Sequence, residues 1–160
     1  MKGGIEMKIE IRNEVLNSFI QDVKKLHYKK TFGFFLSDKK NGNPVDYIFF
    51  ENDKRDEINF EEVDEYYVDN KTAGFTSDPI ETYRVEREIK KRNLFVVGVF
   101  HCHMRHPTIF ANIDQKFHPS KKLWHLIISI RNIEFPEISI YYYDENETLN
   151  ETQFIVIGGE

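Results

Sequence analysis

Apolar positions along the chain recur at two spacings, one close to a helical turn and one close to the alternation of a strand. From 13 to 28, Val15, Leu16, Phe19, Ile20, Val23 and Leu26 fall at helical spacing, with Asn17, Gln21, Asp22, Lys24 and Lys25 mostly opposite. That pattern predicts an amphipathic helix with Asn13 as its candidate cap. Two β-prone runs follow, Thr31 to Ser37 and Val45 to Glu51, separated by the turn-rich Asp38-Lys39-Lys40-Asn41-Gly42-Asn43-Pro44. They predict a hairpin. From Asn52 to Glu65 apolar residues are few, which predicts a solvated segment before a short strand at Tyr66 to Val68.

Asp78-Pro79-Ile80-Glu81 combines a capping acid, a proline at the first helical position and a glutamate three residues after the cap. A helix is expected from there to about Lys91, lying on the surface and meeting the core through Ile80, Tyr83 and Ile89. Leu94 to Phe100 is continuously apolar, which predicts a central strand buried on both faces, with His101 and His103 at its C-terminal end. After a short helical or looped region, Leu123 to Ile130, Ile138 to Tyr143 and Gln153 to Ile157 read as three more strands. The expected fold is a single α/β domain over residues 1–160, a mixed central β-sheet flanked by helices, with no internal repeat or linker.

Composition narrows the class. Of the 160 residues, 40% are hydrophobic and 31% charged, which suits a well-cored domain and argues against disorder. The net charge of -5 is local in origin: residues 51–70 hold nine acids against Lys54 and Arg55, a sum of -7, so the other 140 residues sum to +2. No basic field of the kind that displaces counterions from phosphate is visible, so nucleic acid is not an expected partner. The longest apolar run, Leu94 to Phe100, is far below the roughly 18 residues that span a bilayer, and the first residues lack the apolar core of a signal peptide. With Cys102 as its only cysteine the chain forms no internal disulfide. These features predict a cytoplasmic protein without membrane partners.

Candidate chemistry sits in one stretch. Five of the six histidines (His101, His103, His106, His118 and His125) fall between 101 and 125. In a strand, alternate side chains share a face, so His101 and His103 both reach one ion while Cys102 faces the other way. Asp114, 11 residues past His103, is far enough along for a loop to return a carboxylate to the same point. Two imidazoles and one carboxylate leave the fourth position of tetrahedral Zn²⁺ open, as in catalytic rather than structural sites. That arrangement points to hydrolysis.

The run Val97-Gly98-Val99-Phe100-His101-Cys102-His103, followed after ten residues by Asp114, resembles the His-x-His-x10-Asp motif of the JAMM (MPN-plus) zinc metalloproteases. The glycine at Gly98, the Asp78-Pro79 opening of the preceding helix and Phe32-Gly33-Phe34-Phe35-Leu36 are similar to that family's surroundings of the motif, in an order of elements spanning roughly residues 10 to 145. The resemblance implies a JAMM/MPN-like fold of cytidine-deaminase-like architecture, with zinc held by His101, His103 and Asp114. It also implies a general-base glutamate where this chain has Lys30, a serine where it has Ala111, and a proline where it has Met104, with Pro107 displaced downstream. Lysine, cationic at neutral pH, does not accept a proton from water and repels a metal ion.

Two side chains offer themselves as substitutes for the missing base: His106, close to the ligands in sequence, and Glu51, at the end of the second hairpin strand. His118, before Pro119, and His125, beside Trp124, are expected to be structural. The resemblance implies a metallopeptidase or isopeptidase acting on a protein or peptide, with the C-terminus of a ubiquitin-like or sulfur-carrier protein as the substrate class. The alternative is a catalytically impaired zinc-binding or protein-binding module of the same fold. A two-metal phosphoesterase is disfavoured because no second His/Asp pair stands at a convincing spacing. A nucleobase deaminase is disfavoured because the His-x-Glu and Pro-Cys-x-x-Cys pair is absent.

Overall fold

The fold comes from a computed structural model that describes residues 7–51, 79–112, 115 and 118–158. In chain order the elements are β1 (Ile9–Arg12), α1 (Asn13–Lys25), β2 (Phe32–Ser37), β3 (Asp46–Phe49), α2 (Pro79–Lys91), β4 (Phe95–His103), β5 (Trp124–Ser129), β6 (Glu137–Tyr143), β7 (Leu149–Thr152) and β8 (Phe154–Ile157). Six strands form one mixed sheet in the order β3-β2-β4-β5-β6-β7, in which β4 and β5 run parallel and every other neighbouring pair is antiparallel. β1 and β8 form a separate parallel pair. The α/β class and the helix-flanked mixed sheet agree with the sequence pattern. The acidic segment and the expected strand at 66–68 lie outside the described residues.

Each sheet face has its own apolar layer. Phe19 and Val23 of α1 are buried with Phe35, Phe100, Trp124, Leu126 and Ile128 on one face, where the Phe19 ring stands 4.8 Å from Phe35 and 4.9 Å from Phe100. On the other face Val85 and Ile89 of α2 pack with Phe32, Leu36, Ile48 and Phe50. β4 lies centrally between β2 and β5 and is buried along most of its length, as its unbroken apolar run predicts. It runs on through His101, Cys102 and His103, three residues past that run.

Four local expectations need correction. Asn13 does not cap α1: Arg12 does, in extended conformation and without a side-chain cap bond, because pairing of Arg12 with Ile157 keeps the chain in strand geometry up to the helix. The helix stops at Lys25, and the Leu26 N–H bonds back to the Asp22 and Val23 carbonyls. In α2 the inward stripe is Glu81, Val85 and Ile89, while Ile80 is 82% and Tyr83 61% exposed. Glu81 sets that phase: its buried carboxylate accepts the Glu51 backbone N–H, and Ile80 and Tyr83 then fall on other sides of the helix. Finally, the run expected as one strand from Gln153 is preceded by a further strand, β7, that ends the main sheet before β8 crosses to β1.

No described helix is long and apolar enough to cross a membrane. Cys102 belongs to the α1 face of the core, and burial pushes its thiol up to about 12. The native protein is therefore expected to resist iodoacetamide at mildly alkaline pH and to be labelled only as it unfolds. Labelling of the native protein at the rate of a small free thiol would contradict this placement.

Candidate metal centre

The parallel strands β4 and β5 set the site. Their register pairs Val99 with His125, His101 with Ile127 and His103 with Ser129, while on the other side Phe32 of β2 pairs with His101. Side chains at paired positions share a face, so His101, His103 and His125 all project to the α2 side of the sheet. His101 and His103 lie at the carboxyl end of β4, where open α/β sheets collect ligands, whereas His125 is the second residue of β5.

The loop after β4 crosses this face and is fastened to it. Ser129 Oγ donates to the His106 carbonyl at 2.6 Å, Tyr141 Oη donates to the Thr108 carbonyl at 2.5 Å, and Thr108 Oγ1 and Ser139 Oγ stand 2.6 Å apart. Phe110 is buried against His125 and stacks on Tyr141, with ring centroids 4.7 and 5.4 Å apart. Hydroxyls placed on the strands thus fasten the stretch from His106 to Thr108 onto this face.

Four imidazoles are linked here. His101 Nε2 and His103 Nε2 are 2.8 Å apart, His101 Nδ1 and His125 Nε2 2.7 Å, and His125 Nδ1 and His118 Nδ1 3.0 Å. His118 Nε2 ends the chain 2.9 Å from the Leu123 carbonyl oxygen. His103 Nδ1 lies 2.7 Å from the Pro107 carbonyl oxygen. A carbonyl only accepts, so His103 carries a proton on Nδ1, and its Nε2 faces that of His101. Burial lowers the pKa of His118, against a smaller opposing effect of the Leu123 and Ser120 backbone, and so favours its neutral form.

Two imidazoles aimed at one point through Nε2 fit an ion that prefers nitrogen ligands. His101 Nε2 and His103 Nε2 would supply two nitrogen ligands to an ion such as zinc, after moving apart from the 2.8 Å at which they stand. Asp114 lies outside the described residues, and among the described residues no three His, Cys, Asp or Glu side chains form a group able to hold an ion.

The other expected residues are dispersed around this pair. Lys30 is half-buried two residues before Phe32, which pairs with His101. Ala111 is half-buried directly after Phe110. His106 is exposed, its ring 6.4 Å from that of His103. The Glu51 carboxylate is exposed and 4.0 Å from Arg84, while the Glu51 carbonyl accepts from Lys29 Nζ at 2.9 Å. Arg84 also donates to Glu81 at 3.2 Å. Glu51 is thus engaged with α2.

His118 and His125 join the cluster in a way the sequence reading does not anticipate. Trp124, expected beside His125, pairs with Gly98 and packs into the opposite face. The available signal was chemical. A lone histidine inside the apolar run Leu123 to Ile130 must satisfy two ring nitrogens in a buried strand, which requires polar partners on its own face.

No family model matches the chain, and no curated protein sequence matches it. Solved structures do. The solution structure of a protein from Desulfitobacterium hafniense aligns with a TM-score of 0.69 at 15% identity, covering 94% of each chain. A solution structure of a protein from Salinibacter ruber gives 0.62 at 18% identity, covering 96% of this chain and 94% of that one. The crystal structure of a JAB1/MPN domain protein from Archaeoglobus fulgidus gives 0.49 at 15% identity, covering 95% of this chain and 100% of that one. The two solution structures share this fold, and at such identities the likeness extends to the fold alone.

Proposed function

We propose that the chain is a zinc-dependent metallopeptidase of the JAMM type, acting on peptide or isopeptide bonds at the C-terminus of a ubiquitin-like or sulfur-carrier protein. His101, His103 and Asp114 are the proposed ligands. The observation that carries this reading is the 2.8 Å approach of His101 Nε2 and His103 Nε2 on one face of β4, with a proton placed on His103 Nδ1 by the Pro107 carbonyl. Zinc, when bound, supplies Lewis acidity that polarises a carbonyl and makes water nucleophilic near neutral pH. The chain's own residues orient the ligands: Pro107 holds the His103 ring, and the loop bonds of Ser129 and Tyr141 hold Pro107 in place. The substrate is a protein rather than nucleic acid or membrane, in a reducing cytoplasmic compartment where a lone thiol such as Cys102 persists.

One observation favours a second reading, a zinc-binding module that recognises a protein without cutting it. Lys30 stands where the JAMM resemblance puts the general base, and neither Glu51, beside Arg84, nor the exposed His106 is fixed in its stead. Metal analysis of protein purified without added metal tests the site common to both readings. Near-stoichiometric zinc is expected in the wild type, with loss in His101→Ala, His103→Ala and Asp114→Ala. Equal metal content in all four would sink it. Cleavage of a ubiquitin-like C-terminal fusion that a chelator abolishes separates the peptidase from the module.

A further inference from the structure

A strand at the edge of a sheet leaves a row of backbone groups able to pair with another chain, and folded proteins blunt such edges with charge, short length or a covering side chain. Three of the four outer edges are blunted in this way. β3 carries Asp46 in an ion pair with Arg92 at 3.1 Å, β7 is four residues long and carries Asn150 and Glu151, and on β1 the Glu10 N–H donates to Asn43 Oδ1 at 3.0 Å. β8 is the exception. Among the described residues it pairs only with β1, and Phe154 to Ile157 include no charged side chain, with Ile155, Val156 and Ile157 41–46% exposed.

Which backbone groups face outward follows from β1. The Glu10 N–H points to Asn43 and away from β8, so Ile9 and Ile11 are the residues whose backbone turns toward β8. In a parallel pair such a residue bonds the two neighbours of the residue opposite it, and Ile11 stands opposite Val156. Ile155 and Ile157 therefore face β1, which leaves the N–H and C=O of Val156 on the open edge. The side chains agree. Val156 shares a face with Ile9 and Ile11, both buried, yet is itself exposed, so the core stops short of β8.

We propose that β8 is a dimerisation edge whose occupant is β8 of a second copy, antiparallel about a two-fold axis at Val156. The strand is its own complement. In that register Val156 of each copy exchanges both backbone bonds with the other, Ile155 lies opposite Ile157 of the second copy, and only β-branched apolar side chains meet. Charge selects the antiparallel sense. Glu10 is level with Ile155 and Arg12 with Ile157, so antiparallel copies set Glu10 of each in line with Arg12 of the other, whereas parallel copies would align Glu10 with Glu10. Arg12 is paired with Glu14 at 2.7 Å, so avoiding the Glu10 alignment is the larger part of that preference. Such a two-fold contact uses each edge once and closes at two chains.

The test uses the full chain. Sedimentation equilibrium at about 0.1 mM, where a dimer of micromolar affinity is largely formed, is expected to give twice the chain mass for the wild type. Val156→Lys, which sets two ammonium groups against each other at the axis, is expected to give the single-chain mass with an unchanged far-UV circular dichroism spectrum. A second measurement decides the matter where Val156→Lys does not fold. Opposite residues in a hydrogen-bonded antiparallel pair have Cα atoms about 5.5 Å apart, within the reach of a disulfide. Val156→Cys is expected to cross-link nearly completely in oxidised glutathione, the wild type not at all because its one thiol is the buried Cys102, and Glu145→Cys, exposed between β6 and β7, far more slowly. A monomeric wild type overturns the proposal and leaves the edge to a different chain. A dimer that persists in folded Val156→Lys, or Val156→Cys cross-linking no faster than Glu145→Cys, overturns it by placing the contact elsewhere.

Discussion

Gly33→Ala is expected to cost about 3 kcal/mol or more, a large part of the stability of an ordinary domain. A Cβ at this position would stand 1.9 Å from the Ile48 backbone oxygen and 2.8 Å from the nearest carbon of the Phe100 ring. A flexible side chain can turn away from such an overlap, but a carbonyl of the neighbouring strand moves only with its strand. Relief therefore means parting β3 from β2 where Gly33 pairs with Phe49 and Phe34 with Ile48. The second obstacle is as firm: Phe100 is fully buried among Phe19, Phe35 and Phe49, with ring centroids 4.9, 5.4 and 5.1 Å away. Chemical denaturation followed by circular dichroism should show the midpoint collapse. A midpoint within error of the wild type would refute the β2–β3 pairing. Because Gly33 adjoins Phe32, the partner of His101, the metal-centre reading adds that zinc uptake falls along with stability.

What could be read from the sequence divides by range. β4 and its two histidines were legible because an unbroken apolar run and a two-residue alternation are local facts, and the register with β2 and β5 keeps them. The hairpin was legible from its turn residues. α2 was legible in extent but not in phase, since the bond from the Glu51 amide to Glu81 comes from 30 residues away. β1 was not legible: four residues alternating with Glu10 and Arg12 gain strand geometry only from β8, at the other end of the chain. The same holds at the candidate site. His101 and His103 are visible as a spacing, whereas His118 and His125 become partners only after parallel pairing brings β5 beside β4 and the loop folds back over both.

Lys30→Glu is expected, on the peptidase reading, to raise chelator-sensitive cleavage of a ubiquitin-like fusion by about 10²- to 10⁴-fold, the usual worth of a positioned general base. The backbone explains why this residue matters. Phe32 pairs with His101, and the Cys102 N–H to Thr31 carbonyl bond, at 2.8 Å, carries the pairing one residue past the end of β2. Lys30 follows at the level of His103. There a lysine opposes the collection of a divalent cation and supplies no proton acceptor, whereas a glutamate reverses both effects at once. Lys30→Gln separates them, because it removes the positive charge without adding a base. Tighter zinc binding in both variants, with a rate increase confined to Lys30→Glu, is the outcome that assigns the missing base to this position. Equal rates in the two would trace the gain to charge alone. No gain in either, with zinc bound, would remove the missing base from this position.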